Sequence, residues 1–245
     1  MKKNYWFIIL TYMVMQFSGI FGIELFEYLR IGESRAEYIA NWTIVSFTLA
    51  LIITLYLLRN ERTDGNSLRG GEPSSILISS LWAFGGIFLA LFSQVIAANI
   101  EIALFGVEPG SENTQNIVKL IQASPLVIIV TSIIGPILEE IIFRKIIFGG
   151  LYNRTNFFIA AIISSLLFSL LHGEFEHLLL YAAMGFTFAF LYVRTKRIIV
   201  PIIAHVSMNT LVVVTQVLFK DKIEEYLERL EQMEQLQVII GGILL

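Results

Sequence analysis

An all-α, polytopic membrane helix bundle with seven or eight transmembrane segments is the fold class that this sequence predicts, on two observations. The chain of 245 residues is 56% hydrophobic and only 15% charged, with a mean hydropathy of +0.74. It lacks the polar residues that a soluble domain of this length needs to cover its surface. The apolar residues also gather in long runs rather than in short alternating stretches, which is the pattern of membrane-crossing helices.

Each run predicts one element. Tyr5–Ile23 is the first. Its apolar length exceeds a signal-peptide core and no clear small-residue cleavage site follows, so it reads as a span that can continue past Glu24 and Glu27. Tyr38–Leu58 is the second span and Ile76–Ile100 the third. Pro125–Tyr152 is the fourth, interrupted by charges. Phe157–Leu171 is short and closed by His172; Leu178–Val193 is the sixth and Ile198–Phe219 the seventh. A crossing helix needs about 20 residues, so the fifth and sixth must borrow flanking residues or lie in thinned bilayer. In the tail, 221–245, the residues Ile223, Tyr226, Leu227, Leu230 and Met233 fall on one helical face with glutamates opposite. That predicts an amphipathic helix lying on a membrane surface or on the protein. There is no repeat or long linker, so residues 1–245 read as a single integral-membrane domain.

Basic residues set the expected orientation. With the N-terminus inside, Lys2, Lys3, Arg59, Arg62, Arg69, Arg154, Arg194, Lys196 and Arg197 lie on inner segments. Arg30, Arg35, Lys119, Lys220, Lys222 and Arg229 are the most that outer segments hold. Nine against six favours a cytoplasmic N-terminus in a multi-pass protein of the cell membrane. There is no cysteine, hence no disulfide and no thiolate nucleophile or ligand. No basic stripe points to nucleic acid.

The chemistry sits where charge interrupts oil. In "LEEIIFR", residues 138–144, two glutamates and an arginine lie inside the fourth span. A charge at mid-bilayer costs roughly 2.5–3.5 kcal/mol on insertion scales, so three in one segment need a reason. Glu140 and Arg144, spaced i, i+4, share a helix face and can pair as structural support. Glu139 is turned about 100° away. It has no partner in its own helix and is expected to face a cavity. "FSLLH" places Phe168 and His172 one turn apart, and "HVSMN" places His205 and Asn209 one turn apart within the seventh span. The third histidine, His177, lies in "HGEFEH" and reads as solvated loop together with Glu174 and Glu176.

At 1.5 Å per residue, Glu139, His172 and His205 stand roughly 22, 27 and 12 Å from the inner-loop arginines. Those depths disagree, so a shared site requires broken or tilted helices, for which Pro125, Gly135, Pro136 and Pro201 are available. If they meet, a carboxylate and a neutral imidazole can take a proton from a shared water. The hydroxide attacks a carbonyl, and a His/Asn pair can stabilise the oxyanion. Desolvation makes a glutamate a better base.

The three motifs resemble a known family. "EEIIFR" matches an EExxxR signature, "FSLLH" an FxxxH signature and "HVSMN" an HxxxN signature, in order on successive apolar segments. Over about residues 120–215 the chain resembles the CPBP intramembrane proteases, which include the type II CAAX prenyl endopeptidases and the bacterial Abi proteins. The resemblance implies a glutamate-dependent endopeptidase in which Glu139 and His172 activate water. It also implies oxyanion stabilisation by His205 and Asn209, with support from Glu140, Arg144 and Phe168. No cofactor is expected, and the expected partners are a peptide or protein substrate at the membrane and the lipid bilayer. The family usually has eight spans, one more than this sequence shows. Two alternatives stay open on the residues alone. One is a zinc enzyme using Glu139, Glu140, His172 and His205. The other is a non-catalytic membrane protein that retains a partner or conducts ions.

Overall fold

The computed structural model describes residues 2–60, 68–69, 72–108 and 110–219, and Lys222, Glu225 and Arg229 of the tail. The predicted amphipathic helix of 221–245 otherwise lies outside the described residues. Every regular element described is helical. In chain order these are α1 (Lys3–Phe17), α2 (Gly19–Tyr28), α3 (Arg35–Leu58), α4 (Ile76–Phe105), α5 (Glu112–Ala123), α6 (127–152), α7 (Phe157–Leu171), α8 (Leu178–Thr195) and α9 (Ile199–Leu218).

Four helices are long and apolar enough to cross a membrane: α3, α4, α9, and α8 counted with the 3₁₀ turn Phe175–His177. The bent pair α1–α2 makes a fifth if it is one span. The distribution of side chains fits lipid outside and polarity inside. On α4, Phe84, Phe88 and Phe92 point outward, whereas Ala83, Gly86, Ala90 and Ala97 are buried against the bundle. Small residues permit close helix approach where no hydrophobic force separates lipid from partner. Gly185 of α8 shows this rule at the contact with α7: a Cβ there would lie 2.8 Å from Ser165 Cβ.

Local chemistry starts the helices. Ser34, Ser75, Ser111 and Asn156 each accept a hydrogen bond from a backbone N–H in the first turn of α3, α4, α5 and α7. Gly106, in the left-handed region at φ 65°, ends α4.

Three expectations are corrected here. The first predicted span is not one straight helix: α1 and α2 meet at 52°. Ser18 sits at the break, donating its hydroxyl to Met15 O at 2.8 Å and accepting from Trp42 Nε1 at 3.0 Å. Glu24 and Glu27, on α2 beyond the break, pair with Arg35 at 3.0 and 2.8 Å. Second, the stretch between the third and fourth predicted spans, to which no element is assigned, holds a helix: "SENTQN" opens the amphipathic α5, whose Val118 and Ile121 are buried. Its polar first turn hid a helix that is apolar on one face only. Third, α6 is not a plain α-helix. Short α segments alternate with π-helical stretches Val130–Ile134 and Glu140–Phe148. Such i→i+5 turns are wide and cluster at functional sites; Pro136, with no N–H to donate, follows the first of them. A straight-helix depth estimate therefore fails for this element.

Candidate active site

The wide second stretch of α6 turns Glu140 and Arg144 into the bundle, where both are fully buried. Arg144 Nε stands 3.3 Å from Glu140 Oε2, the expected i, i+4 ion pair. The contact is an ion pair by distance and not an aligned hydrogen bond, for none of the three guanidinium nitrogens has a hydrogen-bond partner among the described residues. The cation is met instead by aromatic faces. Its guanidinium carbon lies 4.4 Å from the Phe168 ring centroid, 5.4 Å from Phe188 and 5.9 Å from Phe143. Phe168 of the second motif thus closes over the arginine of the first.

Helix α9 supplies the third motif. His205 is buried and donates Nδ1–H to Glu140 Oε1 at 3.0 Å, which turns Nε2 towards Glu139. Glu139 Oε2 lies 3.8 Å from that nitrogen, beyond hydrogen-bond range, and its side chain keeps 17% exposure. The two glutamates therefore differ as their helix faces suggest: one is locked, the other half-open. Glu139, expected to have no partner in its own helix, finds His205 across the bundle. Phe188 stacks on the His205 ring at 4.5 Å and Phe168 meets it edge-on at 6.0 Å, so the ring is held on both sides. One turn along α9, Asn209 is half-buried, and its carboxamide has no hydrogen-bond partner among the described residues.

His172 caps α7. Its Nδ1 lies 2.8 Å from Phe168 O. A carbonyl only accepts, so Nδ1 carries the proton and Nε2 is the free basic nitrogen. The ring packs against Phe168 at 4.6 Å and stacks on Tyr181 at 4.1 Å. No hydrogen bond joins His172 to Glu139 among the described residues; Phe168 is the side chain that touches both histidines. Glu139, Glu140, Arg144, Phe168 and His205 thus form one cluster, and His172 adjoins it through Phe168.

Besides Phe188 and Tyr181, which pack on His205 and His172, four residues at or near the site escape a sequence reading. Tyr12 of α1 is buried, accepts from Gln16 Nε2 at 3.2 Å and lies within electrostatic reach of Glu139 and Arg144. Its signal in the sequence is only a tyrosine in an apolar run. The segment "HGEFEH" is not simply solvated loop. Glu174 accepts from Tyr181 Oη at 2.5 Å, from Ser111 Oγ at 3.0 Å and from the Asn113 backbone N–H at 2.7 Å. Burial alone would push the Glu174 carboxyl up, but those three donors outweigh it and hold it below the usual range. His177 Nδ1 meets Glu101 at 3.2 Å. Glu101 is buried in α4 and also accepts the Leu180 N–H at 3.0 Å, capping the N-terminus of α8 from a neighbouring helix. The glutamate in "ANIEIALF" was the available clue; Glu174 had none, because its partners are 61 to 63 residues away in sequence or across the loop. Among the described residues, no group of three or more His, Asp or Glu side chains is arranged to hold a metal ion.

Residues 121–211 match the family described as type II CAAX prenyl endopeptidase Rce1-like, a stretch holding all three motifs. The chain is 53% identical to the putative membrane peptidase YdiL of Bacillus subtilis over the full length of both. It is 32% identical to the membrane-embedded CAAX protease MroQ of Staphylococcus aureus over 90% of this chain and 92% of that one. The UPF0177 protein YxdF of Lactococcus lactis shares 37% identity over a third of this chain and 44% of its own. No solved structure matches. The chain belongs to the Rce1-like CAAX protease family and is a multi-pass membrane peptide hydrolase.

Proposed function

We propose that this membrane peptidase is a glutamate-dependent endopeptidase acting on a membrane-associated peptide or protein. Glu139 and the free Nε2 of His172 share a water and remove its proton as it attacks the scissile carbonyl. His205 and Asn209 donate to the oxyanion. Because His205 already gives Nδ1–H to Glu140, donation from Nε2 as well requires a proton on both ring nitrogens. Glu139 then passes its proton to the leaving amide nitrogen. Glu140, Arg144 and Phe168 hold the His205 ring and keep the second glutamate out of the reaction. The cytoplasmic placing of the N-terminus rests on the basic-residue count.

The observation that carries this reading is the His205 ring set between two adjacent glutamates, one locked by Arg144 and the other partly open. The test is quantitative peptide profiling of membranes and medium from cells making wild-type protein, Glu139→Gln or His172→Ala, each at equal folded yield. Peptides present with wild type and absent with both variants are the expected result, and they name the substrate. Unchanged profiles in both variants would sink the mechanism.

A further inference from the structure

Tyr181 is buried at the second turn of α8, outside the three motifs, and makes two contacts that join chemistry to anchorage. Its ring lies flat on the imidazole of His172, with centroids 4.1 Å apart and planes at 26°. Its hydroxyl donates to Glu174 at 2.5 Å, a short bond of the charge-assisted kind. Glu174 in turn is fixed by Ser111 and by the Asn113 N–H at the start of α5. Among the described residues His172 itself has one side-chain hydrogen bond, Nδ1–H to Phe168 O, and that bond leaves the ring free to pivot about it. The Tyr181 face at 4.1 Å and the tilted Phe168 ring at 4.6 Å together remove that freedom.

We propose that Tyr181 is a positioning residue for His172, held in place by Glu174. It fixes the plane of the imidazole and so the direction of the Nε2 lone pair. The proposal rests on the reading that His172 acts on the water. A general base must present its lone pair within hydrogen-bond reach of the proton it removes, and a misplacement of about 1 Å costs about a hundredfold in rate. Tyr181 touches neither substrate nor water in this scheme. The Glu174 anchor also ties the clamp to the loop before α5, so the order of that loop and the order of the base are coupled.

The chain has three histidines, which makes the test direct. Full-length protein labelled at histidine Cε1 is studied by NMR in micelles, with His172 assigned by the signal missing in His172→Ala. In wild type the His172 ring signal is expected upfield and narrow, because a stacked aromatic shields it. In Tyr181→Leu the upfield shift is lost. In Tyr181→Phe it is kept but the line broadens, since the ring remains and its tether does not; Glu174→Gln does the same. The Glu139-dependent peptide products are expected to fall about tenfold or more in Tyr181→Leu, and to be restored in large part by Tyr181→Phe. A His172 signal unmoved by Tyr181→Leu overturns the proposal, as do wild-type product levels in that variant. If Tyr181→Leu does not fold, an unbroadened His172 line in both Tyr181→Phe and Glu174→Gln overturns it. Products that persist in Glu139→Gln instead refute the catalytic reading, and leave the NMR result standing as a statement about structure alone.

Discussion

Two neighbouring residues of one motif have opposite fates because of a single rotation along a helix. Glu140 is spent on Arg144 and on Nδ1 of His205, whereas Glu139 keeps an open side. Removing one member of a buried pair leaves the other charge uncompensated, at a cost of about 3–5 kcal/mol. Arg144→Ala is therefore expected to lower thermal stability in micelles by that amount, read as a loss of folded protein on heating. Arg144→Lys should restore only part of it, since an ammonium cannot cover three aromatic faces as a planar guanidinium does. The i, i+4 spacing made this pair legible from sequence. The partner of Glu139 was not, because His205 is 66 residues away and no local rule connects them. The same holds for Glu174, which looked solvated beside Glu176 and His177 and proved to be bonded to a helix more than 60 residues earlier.

At the scale of elements, α6 and the α7–α8 contact place the motifs. Apolar runs revealed the helices and often their ends, α7 to the residue. They did not reveal the 52° break at Ser18 or the π-helical turns of α6, since both depend on bonds that hydropathy does not encode. The close approach at Gly185 makes a sharp expectation. Gly185→Ala brings a methyl to 2.8 Å from Ser165 Cβ and 3.0 Å from its Cα, so helix separation must change, for a loss of about 1–3 kcal/mol. Gly85→Ala, on open lipid-facing space, should instead stabilise α4 by about 0.5–1 kcal/mol. Melting the two variants beside wild type checks both signs. The Glu174 tether of α5 has a pH signature. Its carboxyl is held below the usual range when folded, so the tether is fully present above the ordinary glutamate value of about 4.3. It is lost as pH falls through the lower folded value. Hydrogen exchange should show residues 112–123 better protected in wild type than in Glu174→Gln at pH 7, with the difference vanishing in acid.

At the scale of the whole molecule, the bundle shows Phe84, Phe88 and Phe92 on its outside and encloses Glu101, Glu140 and Arg144. The three motifs come from helices α6, α7 and α9, and the N-terminal half, unmarked by any motif, adds Tyr12, edge-on to Phe143 of α6 at 6.2 Å. The composition was enough to show a membrane bundle, and motif order was enough to show the family. Which side chains meet depended on how the helices pack. The central claim is the proposal built on that packing: that the half-open Glu139 is the base of this peptide hydrolase. The most direct test uses purified protein in proteoliposomes with the peptide found by profiling, comparing the rate of product release by wild type and by Glu139→Gln. General-base catalysis contributes about 10²–10⁴-fold, so a loss of that size with unchanged thermal stability is the expected result. A Glu139→Gln variant within about threefold of wild type, far short of that range, would contradict the account.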